Sequence, residues 1–302
     1  MSRDNDTDEQ LTTESINQRS THLDELSPLE LVKLMNREDH EAVTAVEAAG
    51  PHIAAAILAV ASALRTGGRL LYLGAGTSGR LGVLDAVECP PTFSTEPELV
   101  QGLIAGGQEA VTRAIEGAED DAASGLADLQ SVGLCQQDSV VGITASGRTP
   151  YVLGGMEYAR ELSATTIGIY CNRGAALADL CEIRIELLVG PEVLAGSTRL
   201  KAGTATKMVL NMLSTGAMVR LGKTYGNLMV DVRANSEKLR QRAVRLVRRL
   251  AEVDGDTASE LLAASGFEVK TAVVMHRGGL SPAAARKRLH EVSGRLREAL
   301  SP

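Results

Sequence analysis

The stretch 69-RLLYLGAGTSGR-80 joins an apolar run to a glycine loop. Apolar residues on consecutive positions fit a strand buried on both faces, as in a parallel sheet. Gly74, Gly76 and Gly79 spell G-x-G-x-x-G, the string of a dinucleotide-binding turn. Thr77 and Ser78 stand between the second and third glycines, and their hydroxyls suit a phosphate or a polyol. The string alone has low specificity, because a purely structural tight turn uses the same letters. It nevertheless predicts strand, sharp turn and helix in that order, with backbone N–H groups at the turn open to an anion.

An echo follows 68 residues later. VVGITASGRTP (140–150) again reads strand, small residues, Ser-Gly-Arg and helix start. Three further β-prone runs are GLIAG (102–106), TTIGIY (165–170) and EIRIELL (182–188). Helical stretches lie between the runs at 78–87, 107–116, 119–130, 150–162 and 175–180. Five strands with helical crossovers predict an α/β fold, a doubly wound five-stranded parallel sheet. Ligands of such sheets bind at the carboxyl ends of the strands, near the switch point.

Residues 1–12 read as a disordered acidic tail. A helix is expected from Ser27 to about Ala49, with Pro28 in its first turn and Glu30 at capping-box spacing. A second helix, Pro51 to about Arg65, contains the apolar run 53–64, which suits a buried or interface helix. Beyond residue 196 the chain reads as mostly helical: 199–221, then YGNLMVDV (225–232) as loop or short strand, then 234–252. Three short helices at 256–264, 268–276 and 281–299 complete it. The expected division is one α/β domain over 13–252, N-terminal helices included, and a small helical subdomain over 253–302.

Composition narrows the function. The net charge of −7, with no Trp and only two Phe, argues against nucleic acid, which needs basic footprints or aromatic stacking. No run approaches the length of a membrane span, and the polar acidic start lacks the pattern of a secretory signal. Cys89, Cys135, Cys171 and Cys181 form no C-x-x-C and read as reduced residues of a cytoplasmic protein. The five histidines do not cluster, so no metal site and no Ser-His-Asp arrangement is expected.

Two acidic motifs invite chemistry. In DAVECPPTF (85–93), Glu88 ends the helix that the glycine loop begins, and Pro90 and Pro91 are expected to stop that helix. On spacing alone Glu88 reads as a solvated helix-end carboxylate. In EGAEDD (116–121), acidic residues at a helix start are ordinary dipole partners, or one of them is a base aimed into the cleft. In STRLKAGTATK (197–207), Ser197 and Thr198 suit helix caps, with Lys201 and Lys207 as solvated charges or phosphate ligands. A dinucleotide site needs an acidic residue about 20 positions beyond the loop. Glu96 and Glu98 lie near that distance, but CPPTFST before them does not resemble a second strand.

With these stretches in view, the chain resembles the N-acetylmuramic acid 6-phosphate etherase family. The resemblance rests on TESINQRSTHLD (13–24), GAGTSGRLGVLDAVECPPTF (74–93), GLIAGG (102–107), EGAEDD (116–121) and ASGRTPYV (145–152). It continues through residues 198–232 and around VKTAVVM (269–275). The regulatory protein of glucokinase is related in fold but much longer. The resemblance implies a sugar-isomerase (SIS) fold and a homodimer, and it leaves open whether the neighbouring protomer completes the site. It implies cleavage of a lactyl ether from a sugar phosphate by elimination then hydration, without cofactor or metal. It places the family's catalytic glutamates on Glu88 and Glu119. Glu119 is expected as the C2 base and Glu88 as the acid for lactate departure, an assignment open to exchange. As the acid, Glu88 calls for partial burial to raise its pKa. Thr77, Ser78, Gly79, Ser146, Gly147 and Thr149 are expected to bind the sugar phosphate, with Ser197, Thr198 and Lys201 as further candidates. His22 or a water is expected to open the sugar ring. Val87 stands where the family pattern leads one to expect Ser or Ala. A non-catalytic sugar-phosphate regulator would keep the hydroxyl loops but would not need both carboxylates.

Overall fold

The structure is a computed structural model that describes residues 11–232 and 237–301. Residues 1–10 of the expected tail and residues 234–236 at the start of the expected 234–252 helix lie outside the described residues. The chain divides into two compact units, Met1–Val87 with Glu98–Ser214, and Glu88–Pro97 with Thr215–Pro302.

The first unit begins with two helices. Helix α1 is Pro28–Ala48, opened by the expected capping box between Ser27 and Glu30. Glu30 Oε2 accepts from Ser27 N at 2.9 Å and from its hydroxyl at 2.5 Å. Helix α2 is Gly50–Arg65, and its buried residues Ile53, Ala56, Val60 and Leu64 recur at helical spacing. Leu58 of the same helix is 57% exposed.

The glycine stretch then builds the sheet. Strand β1 is Leu70–Gly74, helix α3 Gly76–Phe93, strand β2 Val100–Ile104 and helix α4 Gly107–Thr112. Helix α5 is Ala122–Ser131, strand β3 Ser139–Ile143, helix α6 Pro150–Glu161, strand β4 Thr165–Tyr170 and strand β5 Ile183–Glu186. All neighbouring pairs are parallel, in the order β2-β1-β3-β4-β5. Strands β1 and β3 are buried at every position, the result of helices on both faces. The order reverses between β1 and β3, so a crevice opens at the carboxyl ends of those two strands.

Several expected boundaries move. Pro90 and Pro91 do not stop α3, which continues to Phe93. Each proline removes one backbone donor, but Cys89 and Phe93 are buried, and Ser94 N closes the last turn on Pro90 O at 3.0 Å. Ser94, at φ +52, then ends the helix. The stretch 119–130 divides at Asp121 into a 3-10 turn, Ala118–Asp120, and α5. Asp121 caps α5, accepting from the Ala123 and Ser124 amides. The stretch 175–180 is a 3-10 turn, Ala176–Leu180.

Helix α7, Lys201–Arg220, runs from the first unit into the second. The second unit holds a two-stranded hairpin, β6 Thr224–Tyr225 with β7 Leu228–Met229. Helices α8 Glu237–Ala251, α9 Gly255–Ala264, α10 Val269–Gly278, α11 Pro282–Glu291 and α12 Leu296–Ala299 follow. The expected helix 281–299 is thus two, broken at Ser293 and Gly294, both at positive φ. The unit's core includes Val230, Leu246, Val247, Leu262, Val273, Leu289 and Leu296. Lys270 is 8% exposed and donates to Asp231 Oδ2 and Gly294 O, each at 2.8 Å. Burial lowers its pKa, and the Asp231 charge opposes that shift.

Candidate active site

The crevice between β1 and β3 is a cleft of about 460 Å³, within the range of small-molecule sites. One wall is the β1–α3 turn. A Cβ on Gly74 would sit 2.7 Å from Gly79 N, and one on Gly79 would sit 2.6 Å from Gly74 O. These glycines let the strand end and the first helical turn touch. The first turn of α3 therefore meets the cleft with its unpaired N–H groups, beside the side chains of Thr77 and Ser78.

The other wall is the β3–α6 loop. Thr144 Oγ1 lies 2.7 Å from Thr149 Oγ1 and 3.2 Å from Ser146 Oγ, and the Arg148 amide donates to Ser146 Oγ at 3.2 Å. This pre-ordered hydroxyl chain, with Arg148, lines the cleft at the start of α6. Gly147, at φ +75, allows the turn, and a Cβ there would meet Ala175 Cβ at 2.2 Å.

Three carboxylates and one further hydroxyl complete the lining: Glu14, Glu119, Asp120 and Thr198. Hydroxyls, amide donors and one guanidinium suit a phosphate, and carboxylates suit sugar hydroxyls or proton transfer.

Of the residues expected from the sequence, Thr77, Ser78, Glu119, Ser146, Thr149 and Thr198 line the cleft. Gly79 and Gly147 shape its walls through the backbone. Lys201 does not reach it: its side chain is 1% exposed, and its ammonium lies 2.9 Å from Glu38 Oε2. Ser197 and Thr198 do not cap α7. Glu192, wholly buried, accepts from the Lys201 and Ala202 amides at 3.0 Å each. Burial raises the Glu192 pKa, and these amides oppose the rise. Glu88 lies on α3, in the segment that groups with the second unit, and it is exposed in this chain rather than partly buried. The first unit's cleft therefore holds one of the two glutamates. His22 is exposed, lies 3.4 Å from Glu25 and is not part of the lining.

Three lining residues escaped the sequence reading, Glu14, Thr144 and Arg148, whereas Asp120 belongs to the acidic motif from which one base was expected. The repeated Ser-Gly-Arg string was a signal for Arg148. Its counterpart Arg80 is used otherwise, donating to the Ala110 and Arg113 carbonyls at the end of α4. Nothing local marks Glu14. Among the described residues no group of three His, Cys, Asp or Glu side chains is placed to hold a metal ion.

Residues 52–160 match the family model of the glucokinase regulatory protein N-terminal SIS domain. The chain is 54% identical over 292 residues to an N-acetylmuramic acid 6-phosphate etherase of Rhodopirellula baltica, covering 97% of each chain. It is 57% identical over 290 residues to one of Gloeobacter violaceus, covering 96% of this chain and 95% of that one. Among solved structures it is similar to a phosphoheptose isomerase from Francisella tularensis. That likeness has a TM-score of 0.49 and 20% identity, over 64% of this chain and 100% of that one.

Proposed function

This chain belongs to the N-acetylmuramic acid 6-phosphate etherase family, and from that premise we infer that it cleaves the D-lactyl ether of N-acetylmuramic acid 6-phosphate. The products are N-acetylglucosamine 6-phosphate and D-lactate, which makes the enzyme a carbon–oxygen lyase of cell-wall sugar recycling. The observation that carries this reading is identity above one half over nearly the whole chain. The hydroxyl-lined cleft at the β1–β3 switch point, with a carboxylate in it, supports it independently.

An ether is a poor target for direct hydrolysis, because its leaving alkoxide is very basic. Elimination avoids this. In the open-chain sugar the C2 proton is acidic, because it is α to the C1 aldehyde. Glu119 takes that proton, the C2–C3 double bond forms, and the C3–oxygen bond breaks. Glu88 protonates the departing lactate oxygen, then activates the water that adds at C3 while the proton returns to C2. Thr77, Ser78, Ser146 and Thr149, with the amides of the two helix starts, hold the phosphate. Thr198 and Arg148 are further contacts of the substrate. This chemistry requires no nicotinamide and no metal.

The same proposal includes a homodimer with a shared site and a cytoplasmic location. Leu29, Val32 and Val43 are 63%, 63% and 52% exposed, and their spacing puts them on one stripe of α1. Cys135, Cys171 and Cys181 are free thiols. Burial pushes the pKa of Cys171 and Cys181 up to about 12, so both are inert core residues.

The deciding experiment is D-lactate release from N-acetylmuramic acid 6-phosphate without added cofactor, run in deuterated water. Expected are lactate and a product with deuterium at C2. A product without deuterium at C2 overturns elimination, and an absence of lactate overturns the activity.

A further inference from the structure

Elimination needs a free aldehyde at C1, yet the sugar arrives as a closed hemiacetal, so ring opening requires its own proton carrier. We propose that Glu14 is that group, acting as the acid–base catalyst that opens the pyranose ring. The proposal rests on the etherase reading above and names a third carboxylate for the same cleft.

Glu14 lines the cleft although it precedes every strand of the sheet. Its placement is built rather than incidental. Gly196 stands at φ +76, a conformation that favours glycine, and a Cβ there would lie 2.6 Å from Glu14 Oε2, so the carboxylate rests close against this turn. Gly196 N donates to Thr13 O at 3.2 Å. Thr13 N donates to Asn172 Oδ1 at 3.3 Å. Asn172 Nδ2 in turn donates to Thr13 Oγ1 at 3.0 Å and to Ala145 O at 2.8 Å. Thr13 and Asn172 are each 1% exposed, and Ala145 belongs to the β3–α6 wall of the cleft. One buried amide thus ties the N-terminal segment to the loop that carries Ser146 and Thr149. A hydrogen bond so enclosed is costly to lose, which fixes the segment in place.

The carboxylate at the end of this anchorage is exposed to the cleft, and the hydrogen bonds and ion pairs of the described residues give it no protein donor. It has the wrong charge for a phosphate, so the group it suits is a hydroxyl of the sugar.

The chemistry of ring opening fits a single carboxylate. O1 and O5 are bonded to the same carbon, so one carboxyl group beside that carbon reaches both in turn. One Glu14 oxygen takes the proton from O1. The O1 electron pair forms the C1–O1 double bond, the C1–O5 bond breaks, and its pair goes to O5. The Glu14 oxygen that took the proton then delivers it to O5. The residue returns to carboxylate, the sugar is isomerised, and nothing is consumed.

The test is Glu14→Gln, which keeps the shape and removes the proton carrier. Two quantities are measured: α/β anomer exchange of N-acetylglucosamine 6-phosphate by NMR, and lactate release against enzyme concentration. The wild-type chain is expected to accelerate anomer exchange, and the variant to lose that acceleration. Lactate release is expected to fall ~10²–10⁴-fold and to level off at high enzyme concentration, at the sugar's spontaneous opening rate. Deuterium uptake at C2 per turnover stays unchanged. Anomer exchange at the wild-type rate overturns the proposal, as does an unchanged kcat with only KM raised. If Glu14→Gln does not fold by circular dichroism, Glu14→Asp carries the test, because it withdraws the carboxylate by one carbon. A tenfold or greater loss of exchange is then expected, and an unchanged rate overturns the assignment. Failure of the etherase reading is separable: the wild-type chain would release no lactate, while its anomer exchange still reports on Glu14.

Discussion

Lys201 illustrates how far a residue's sequence context can mislead. The motif around it suits a phosphate-binding lysine, but the tertiary structure pairs it with Glu38, and both side chains are 1% exposed. Asn17 Nδ2 also donates to Glu38 Oε2 at 2.8 Å, and Arg19 Nε lies 2.5 Å from its other oxygen. Burial alone would raise the Glu38 pKa, but the bonds from Lys201 and Asn17 outweigh it and hold the carboxyl below the usual range. A depressed carboxyl contributes stability that is present above its unfolded value and lost as pH falls through the folded one. Wild-type stability should therefore decline on acidification below about pH 4.5. Lys201→Met should cost about 3–5 kcal/mol at neutral pH, because it leaves a buried carboxylate short of its partner. That deficit should shrink as the pH falls. Urea unfolding at neutral and acidic pH measures both, and a deficit that grows on acidification would contradict this account. At the same scale, Ser78→Ala and Thr149→Ala should each raise KM for the sugar phosphate by roughly tenfold, from the loss of about 1 kcal/mol or more per hydroxyl. Steady-state lactate release checks this.

At the scale of elements, local rules predicted most of the structure. The capping box at Ser27 and Glu30 located the start of α1, and β-prone runs, most of them apolar on consecutive positions, located the five strands of the sheet. Local rules failed where tertiary packing outweighed them. Helix α3 passes through Pro90 and Pro91, because buried Cys89 and Phe93 hold its last turn. A proline in a helix interior costs about 3 kcal/mol or more. Pro90→Ala should therefore raise the melting temperature, as measured by calorimetry. A lower melting temperature would mean that the proline is instead matched to its site and stabilises by restricting the unfolded chain. The cap of α7 was likewise invisible locally: Glu192 precedes the helix by nine residues and reaches back to its first amides.

At the scale of the molecule, the strand order 2-1-3-4-5 is what turns two separate Ser-Gly-Arg loops into one cleft. Strands β1 and β3 are neighbours although β2 lies between them in the chain. The exposed apolar stripe of α1 belongs to this scale also. Val32→Glu should shift the protein from dimer to monomer in sedimentation, with lactate release falling if protomers share the site. A wild-type chain that sediments as a monomer would remove the dimer from the proposal. The sequence by itself determined the fold class and the hydroxyl loops, because periodicity, glycine turns and capping act over a few residues. Only the tertiary structure decided that Lys201 is withdrawn into a buried pair, that Arg80 and Arg148 differ in use, and that Glu14 enters the cleft. Each of those depends on contacts between residues far apart in the chain, such as Thr13 with Asn172 and Glu14 with Gly196. No local pattern encodes such contacts, because they exist only once the strands have chosen their neighbours.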